Sequence, residues 1–493
     1  MARERLRILV MASEAAPFAK TGGLADVVGA LPRALAALGH DVRVLIPKYR
    51  GVGAQAGPLT LVASNLRVPL GDRVAEGALF EAKSDGGVTV YFLAHDHYYD
   101  REGLYGTADG DYWDNCERFI FFCRGGLEAV AALGAAGWRP QVLHANDWQT
   151  GLVPVYLQTE YRDHPVLGPL ATLFTIHNLA YQGVFWHYDM PMTGLGWDLF
   201  TPAGLEFYGR LNFLKGGLVF SDLLTTVSRT YAQEIRTAAF GNGLEGVLEE
   251  RSRDLHGVIN GIDYELWNPE TDTALAKRYG VGDLEGKAIC RTALREEMGL
   301  AAGPGPVIGM VTRLAGQKGL DLTLDALPGI LASGAQLVLL GSGEAHLEEA
   351  FTAAAVANPG RVAVRIGYDD ELARRIYGGA DAFLMPSRYE PCGLGQLIAL
   401  RYGAVPIVRR TGGLADTVRE VDPARRAGTG FLFDAFAAEP LVEAVGRAAA
   451  ARRVPALWSA IVRSAMAEDF SWDASAREYV TLYRKALKAR AGR

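Results

Sequence analysis

Short, unbroken runs of Val, Ile and Leu alternate with helical patterns along the whole chain. No other feature constrains the fold as strongly. In the first half the runs are LRILVM from Leu6, DVRVLIP from Asp41, VTVYFL from Val88, QVLHAND from Gln141, TLFTIHN from Thr172 and LLTTVS from Leu223. In the second half they are VIGMVTR from Val307, QLVLLG from Gln336, VAVRIG from Val362, AFLMPS from Ala382, VPIVRR from Val405 and GFLFD from Gly430. A strand with no polar side is covered on both faces. Strands alternating with helices pair into parallel sheets. The chain is therefore expected to be α/β, with two Rossmann-like, doubly wound parallel-sheet domains. Its 493 residues suit two domains, and 49% hydrophobic residues can fill two cores.

The Gly, Asn and Pro punctuation of HGVINGIDYELWNPETD, from His256, marks the boundary. The expected division is 1–258, 259–468 and a C-terminal helix over 469–493. That last segment, FSWDASAREYVTLYRKALKAR from Phe470, reads as a capped amphipathic helix with Tyr479, Leu482, Tyr483 and Leu487 on its apolar face. It is expected to cross back onto the first domain, although ordinary local packing would leave the same pattern.

Several function classes are disfavoured. A formal net charge of -6 with dispersed Lys and Arg argues against a nucleic-acid partner. No apolar run approaches a membrane span. The start, MARERLRILVMASEAAPF, has too short an apolar stretch for a signal peptide and reads as a first strand. Cys116, Cys123, Cys290 and Cys392 have neither metal-ligand spacing nor the density of a disulfide framework. The expectation is a reducing cytoplasm and no metal.

In open α/β sheets, ligands bind beyond the carboxyl ends of the strands, and the unusual polar residues fall there. Asp147 follows VLHAN, His177 and Asn178 follow LFTI, and Ser228 follows LLTTV. Arg313 follows VIGMVT, Gly341 and Gly343 follow LVLL, and Glu390 comes shortly after FLMPS. If the two sheet edges face each other, the site is the cleft between domains.

One phrase occurs twice, as KTGGLADVV from Lys20 and RTGGLADTV from Arg410. Each follows a buried strand. In the first copy Leu24, Val27, Val28, Leu31 and Leu35 have helical spacing, so Gly22 and Gly23 open a helix. Pro32 should kink or restart it. Glycines at a helix N-terminus let backbone N–H groups approach a phosphate or sugar, and Lys20 adds a mobile charge. A plain loop-to-helix turn is the alternative. Two such openings, in two domains, suit a ligand with two polar ends, such as a diphosphate-linked sugar.

In TRLAGQKGLDL, Arg313 and Lys318 stand five residues apart on a loop after a strand. Two fixed cations can hold a diphosphate leaving group without a metal; a solvated basic pair is the alternative. In SRYEPCGLGQL, Glu390 can accept hydrogen bonds from sugar hydroxyls or stabilise a positive anomeric centre. It can equally be an acid favoured near a helix start. Cys392 has no evident histidine partner, which favours a buried or backbone role. Asp109 and Asp111 in ADGDYWD read as a turn rather than a metal site. His95 and Asp96 in HDHYYD stay open between site and turn.

Together KTGGLADVVGALPRAL, HANDWQTG, TIHNLAYQGVF, VINGIDYELWNP, TRLAGQKGLDL, YEPCGLGQL and VRRTGGLADTV resemble, in this order, the motifs of bacterial glycogen synthases and plant starch synthases. The resemblance runs nearly end to end. It implies the two-domain GT-B glycosyltransferase fold and transfer of glucose from ADP-glucose to the non-reducing end of an α-1,4-glucan such as glycogen, with retention. It implies no cofactor. By motif, Lys20 with Gly22 and Gly23 corresponds to the family's ADP-glucose-binding turn. Arg313 and Lys318 correspond to the pair that holds the diphosphate. Asp147 and His177 correspond to residues near the donor glucose and acceptor, Asn260 to a hinge residue facing the sugar, and Glu390 to the essential glutamate. Cys392 and Gly393 beside it are carried over as substrate contacts. Thr411, Gly412 and Gly413 would present backbone amides to the phosphate. Many retaining transferases carry a second glutamate eight positions after the first; here that position is Ile398, so ribose contacts must come from elsewhere.

The implied chemistry is front-face displacement, with double displacement through Asp147 or Glu390 as the alternative. Rival functions are the same synthase using UDP-glucose, a nucleotide-sugar epimerase of like architecture, and a non-catalytic glucan-binding protein. The last would not need Arg313, Lys318 and Glu390. A phosphorylase would need a lysine-bound pyridoxal cofactor, for which no motif is present.

Overall fold

The computed structural model describes residues 5–84, 86–107 and 109–492. The chain forms two compact units. The first comprises the chain up to Val227, then Ala232–Gly261 and the segment from Trp472 onward. The second comprises Ser228–Tyr231 and Ile262–Ser471. The change of unit at Gly261/Ile262 lies inside VINGID, three residues past position 258.

The first unit is built on a nine-stranded sheet. Its strands are β1 (Arg7–Met11), β2 (Asp41–Pro47), β3 (Thr60–Leu70), β4 (Arg73–Lys83), β5 (Thr89–Ala94), β6 (Val142–Asn146), β7 (Ala171–Ile176), β8 (Leu223–Thr226) and β9 (Leu255–Gly257), in the order β9-β8-β7-β6-β1-β2-β5-β4-β3. Pairing is parallel from β9 to β5. The sheet is not parallel throughout, however: β4 pairs antiparallel with both β5 and β3. This edge hairpin has polar, exposed positions along much of β3, so it does not need the double cover that makes the other strands uniformly apolar. β1, β5, β6, β7 and β8 are buried at nearly every position.

The second unit holds an all-parallel sheet of β10 (Val307–Val311), β11 (Gln336–Gly341), β12 (Val362–Ile366), β13 (Ala382–Met385), β14 (Val405–Arg409) and β15 (Phe431–Phe433), in the order β12-β11-β10-β13-β14-β15. Its core gathers Ile308, Leu339, Phe351, Phe383, Ile407 and Ile461 from both faces of the sheet.

Five helices carry or brace the candidate residues: α1 (Gly23–Ala37), α2 (Leu320–Ala332), α3 (Gly395–Arg401), α4 (Gly412–Thr417) and α5 (Trp472–Ala491). α1 neither stops nor restarts at Pro32, which lies buried inside it. Burial of Leu31, Pro32 and Leu35 against the first core outweighs the one hydrogen bond that proline removes. α5 packs on α1, β7 and β8 within the first unit. Tyr479 and Tyr483 are fully buried there, and the Ser475 hydroxyl donates to the Ile259 carbonyl at 2.6 Å.

Both strand orders contain a switch point. From β1 the chain moves to β2 on one side and later returns to β6 on the other; from β10 it moves to β11, then to β13 across the strand. In the first unit the loops leaving β1 and β6 diverge around a crevice, and in the second those leaving β10 and β13 do; ligands bind at such a place in each kind of sheet.

Candidate active site

At the first unit's switch point the loop after β1 is organised by Glu14. This carboxylate is almost wholly buried. It accepts hydrogen bonds from the Thr21 amide (2.6 Å), the Thr21 hydroxyl (2.7 Å), the Gly22 amide (3.2 Å) and the Tyr105 hydroxyl (2.6 Å). The Tyr105 hydroxyl also lies 2.7 Å from Ser13 Oγ. The amides of Thr21 and Gly22 ahead of α1 are thus already occupied by an internal anion. A Cβ on Gly22 would meet nothing within 4 Å, so the turn still presents open space beside Lys20. The Lys20 ammonium reaches back to Asp26 at 2.6 Å, with both side chains exposed.

Across the switch point, Asp147 follows β6 with φ 57° and ψ 179°, a conformation costly for any residue but glycine. The loop holds it there: its carboxylate accepts the His177 amide at 2.7 Å and is also bonded by the Asn178 amide. Burial pushes its pKa up to about 7, Glu14's charge pushes the same way, and the two amides oppose. His177 is held neutral, its pKa lowered to about 3 by burial. Its Nε2 lies 2.9 Å from Asn146 Oδ1, while Asn146 Nδ2 donates to the Met11 and His144 carbonyls. With the amide so oriented, Nε2 must be the protonated nitrogen and Nδ1 carries the lone pair. Beneath lies a buried chain in which Tyr483 of α5 meets His144 Nδ1 (2.9 Å), His144 Nε2 meets Thr175 Oγ1 (2.6 Å), and Thr175 meets Thr225 (2.5 Å). Asn260 is buried and its side-chain oxygen has no hydrogen-bond partner among the described residues.

At the second unit's switch point the loops after β10 and β13 are laced together. The Arg388 amide donates to the Gln317 carbonyl at 2.9 Å, and Gln317 Nε2 donates to the Tyr389 carbonyl at 3.2 Å. This brings Lys318 to Glu390: Nζ lies 2.9 and 2.7 Å from the two carboxylate oxygens, and Ser387 Oγ donates to one of them at 2.9 Å. Glu390 is buried, whereas Arg313, on the loop of Lys318, is exposed and makes no ion pair among the described residues. Of the two expected cations, one is therefore clamped and one is free.

In the second copy the amides of Thr411 and Gly413 have partners within the protein. Gly413's amide donates to the Glu390 and Pro391 carbonyls at 3.0 and 3.2 Å, and Thr411's amide donates to the Arg409 carbonyl at 3.0 Å. Gly412 has φ 44°, and a Cβ there would lie 2.0 Å from the Glu390 carbonyl oxygen; one on Gly413 would lie 2.0 Å from that of Cys392. The glycines let two backbones touch, which seats the Glu390 loop. Cys392 is buried, and its carbonyl and that of Gly393 accept from Gln396 Nε2 at 2.9 and 3.0 Å. Both residues shape this loop through their backbone.

Other sequence candidates fall elsewhere. Asp109 and Asp111 are exposed on a small hairpin pairing Gly106–Thr107 with Gly110–Asp111. His95 stacks on Tyr98 at 4.2 Å and meets Phe121 edge-on. No group of His, Cys, Asp or Glu that could hold a metal occurs among the described residues. Sequence reasoning missed Glu14, Tyr105, Asn146 and Ser387. The carboxyl end of a strand was the available signal for Glu14, Asn146 and Ser387; Tyr105 carries none.

Comparison with known proteins identifies the family and the fold. Residues 7–250 match the starch synthase catalytic domain and residues 295–459 match glycosyl transferases group 1. The catalytic domain of starch synthase IV from Arabidopsis thaliana, bound to ADP and acarbose, superimposes with a TM-score of 0.88 at 34% identity, covering 98% of this chain and 100% of that one. Sucrose-phosphate synthase from Thermosynechococcus elongatus shares the fold alone, with a TM-score of 0.60 at 18% identity over 98% and 100% of the two chains. Two doubly wound units with polar groups at their switch points are the GT-B fold, and the chain is a glycosyltransferase. Glycogen synthase from Syntrophotalea carbinolica is 51% identical over 98% of this chain and 99% of its own length. Glycogen synthase 2 from Geobacter sulfurreducens is 47% identical over 99% and 100%. The chain belongs to the glycogen synthase and starch synthase family.

Proposed function

We propose that the protein transfers glucose from ADP-glucose to the non-reducing end of an α-1,4-glucan, with retention at the anomeric carbon. The Lys318–Glu390 clamp beside the free Arg313 is the observation that carries this reading. A buried carboxylate supports a sugar or a positive anomeric centre, and the free Arg313, with Lys318 on the same loop, supports the departing diphosphate. In the first unit, Lys20, Asp147, His177 and Asn260 are the groups for the sugars. Asp147, titrating near neutrality, and His177, with a bare Nδ1, suit hydrogen bonding to hydroxyls. The unpaired Asn260 oxygen would gain a partner from a sugar hydroxyl.

The same geometry favours front-face displacement. Both oxygens of Glu390 are engaged by Lys318, and the Asp147 carboxylate is held by two backbone amides, so neither is a free nucleophile. The bond from C1 to the diphosphate oxygen breaks, the acceptor hydroxyl oxygen bonds to C1 on the same face, and its proton passes to the leaving phosphate. Arg313 and Lys318 stabilise the charge left on ADP. The four cysteines are buried and form no disulfide, which fits a cytoplasmic enzyme.

The test is ADP or UDP release from ADP-glucose or UDP-glucose, with and without glycogen. Glycogen-dependent release from ADP-glucose supports the reading. Release that needs no glucan would point to hydrolysis or epimerisation, and a preference for UDP-glucose would overturn the donor assignment.

A further inference from the structure

Glu14 is not among the groups that handle donor or acceptor, yet it receives four hydrogen bonds, the densest set around any carboxylate at the first unit's switch point. Three come from Thr21 and Gly22, the residues that directly follow Lys20. The fourth, from Tyr105, ties the carboxylate to a different stretch of chain, 91 residues away. Glu14 itself is held at the end of β1, where Ser13 is wholly buried. The lysine's own side chain is half-exposed and pairs with Asp26. On its N-terminal side the loop is pinned by the bridge between Ala15 and Ala19. On its C-terminal side the hold is Glu14's.

We propose that Glu14 is a positioning residue for the donor: its carboxylate clamps Thr21 and Gly22, and so sets the point from which Lys20 reaches the diphosphate sugar. This rests on the reading of Lys20 as a donor-binding group. Without this acceptor, two amides at the start of α1 would be left unsatisfied, and the loop carrying Lys20 would sample more positions. A flexible cation forfeits part of its binding energy in being ordered. The clamp acts before the chemical step, so it affects capture of the donor more than turnover.

Two substitutions separate shape from charge. In Glu14→Gln, the amide oxygen can accept from Thr21 and Gly22, while the NH2 donates to the Thr21 and Tyr105 hydroxyls, both of which can reverse their roles. Tyr105 can then donate to Ser13. Glu14→Ala removes all four bonds.

The experiment measures KM for ADP-glucose, kcat, and KM for glycogen in wild type, E14Q, E14A, K20A and E14A/K20A. The expected result is a donor KM raised at least tenfold in E14A, with kcat lowered less than threefold and the glycogen KM unchanged. E14Q stays within threefold of wild type. The double variant is no worse than twofold beyond K20A, because Glu14 acts through Lys20. An E14A donor KM within twofold of wild type overturns the proposal, as does a further tenfold loss on adding E14A to K20A. If E14A does not fold, Y105F and T21V, which each remove one bond, must raise the donor KM measurably, and their failure to do so also overturns it. Should K20A itself leave the donor KM unchanged, the reading of Lys20 fails first, whatever E14A does.

Discussion

Replacing Lys318 with alanine should separate what the Lys318–Glu390 pair does for folding from what it does for transfer. Among the described residues, Glu390 would keep only the Ser387 hydroxyl as partner in a buried site. Breaking a fully buried pair from one side costs ~3–5 kcal/mol, but the Lys318 side chain is 18% exposed and water can reach the vacated space, so about 2 kcal/mol is expected here. For a unit of this size that lowers Tm by about 4–8 °C. Turnover should fall much further, by about a hundredfold or more, the typical loss when one preorganised group is removed from developing negative charge. Adding Glu390→Gln to Lys318→Ala removes the stranded charge, so it should recover most of the lost Tm while turnover stays low. Thermal denaturation and initial rates of ADP release at saturating ADP-glucose measure the two effects independently. Turnover of Lys318→Ala within threefold of wild type would refute the role in leaving-group stabilisation. Recovery of turnover in the double variant would do the same, because it would make the lysine merely a counter-ion for Glu390.

Asp147 has a folded-state pKa raised to about 7, so its contribution to stability is full below the unfolded value and is lost as pH rises through 7. Asp147→Asn should therefore gain stability relative to wild type as pH rises from about 4 to about 8, by no more than about 4 kcal/mol. A Tm difference that does not change with pH would contradict this. His144 is depressed to about 3, the opposite case: its contribution is present above the unfolded value near 6.5 and is lost as pH falls. Unfolding below about pH 6 should accordingly be gentler in His144→Gln than in wild type, read as the slope of Tm against pH. Tyr483→Phe takes one hydrogen bond from His144 and should cost about 1 kcal/mol, with α5 exchanging its amide hydrogens faster.

How far the molecule was legible in its sequence depends on whether the cause was local. All twelve apolar runs are strands because double burial writes itself as an unbroken run of Val, Ile and Leu. The hairpin β3–β4 went unread for the complementary reason. Its β3 is mostly exposed, carries Pro69, has Asn65 at φ 55°, and shifts register against β4 around Ala63. None of this leaves a clean alternation. The three-residue β9 is too short to leave any pattern. Strand-end position brought out Asp147, His177, Arg313 and Glu390. Which groups would meet could not be read, since Lys318 and Glu390 are 72 residues apart and are joined only because β10 and β13 are neighbours. Asp147's raised pKa and His177's tautomer are likewise properties of burial and of one amide's orientation.

The two copies of TGGLAD show the same limit most clearly, and they make a sharp prediction. Both open a helix after a strand, yet the glycines answer different needs. In the first copy the space beside Gly22 is open, its φ of -151° is available to any residue, and the carboxylate of Glu14 takes its amide. In the second, Gly412 has φ 44° and, with Gly413, lies against the carbonyls of Glu390 and Cys392. The lead residues differ too: Lys20 pairs within its own turn, whereas Arg410 pairs with Asp434 at 2.8 Å, just beyond β15. Gly22→Ala should thus fold with an unchanged Tm, and any loss of activity should come from the methyl group obstructing the donor. Gly412→Ala adds a strained φ to a backbone collision. It should cost more than about 2 kcal/mol and displace Glu390, so that Tm and turnover fall together. If Gly22→Ala destabilised the protein as much as Gly412→Ala, the two copies would be serving one structural need, and the distinction between an open turn and a backbone contact would be wrong.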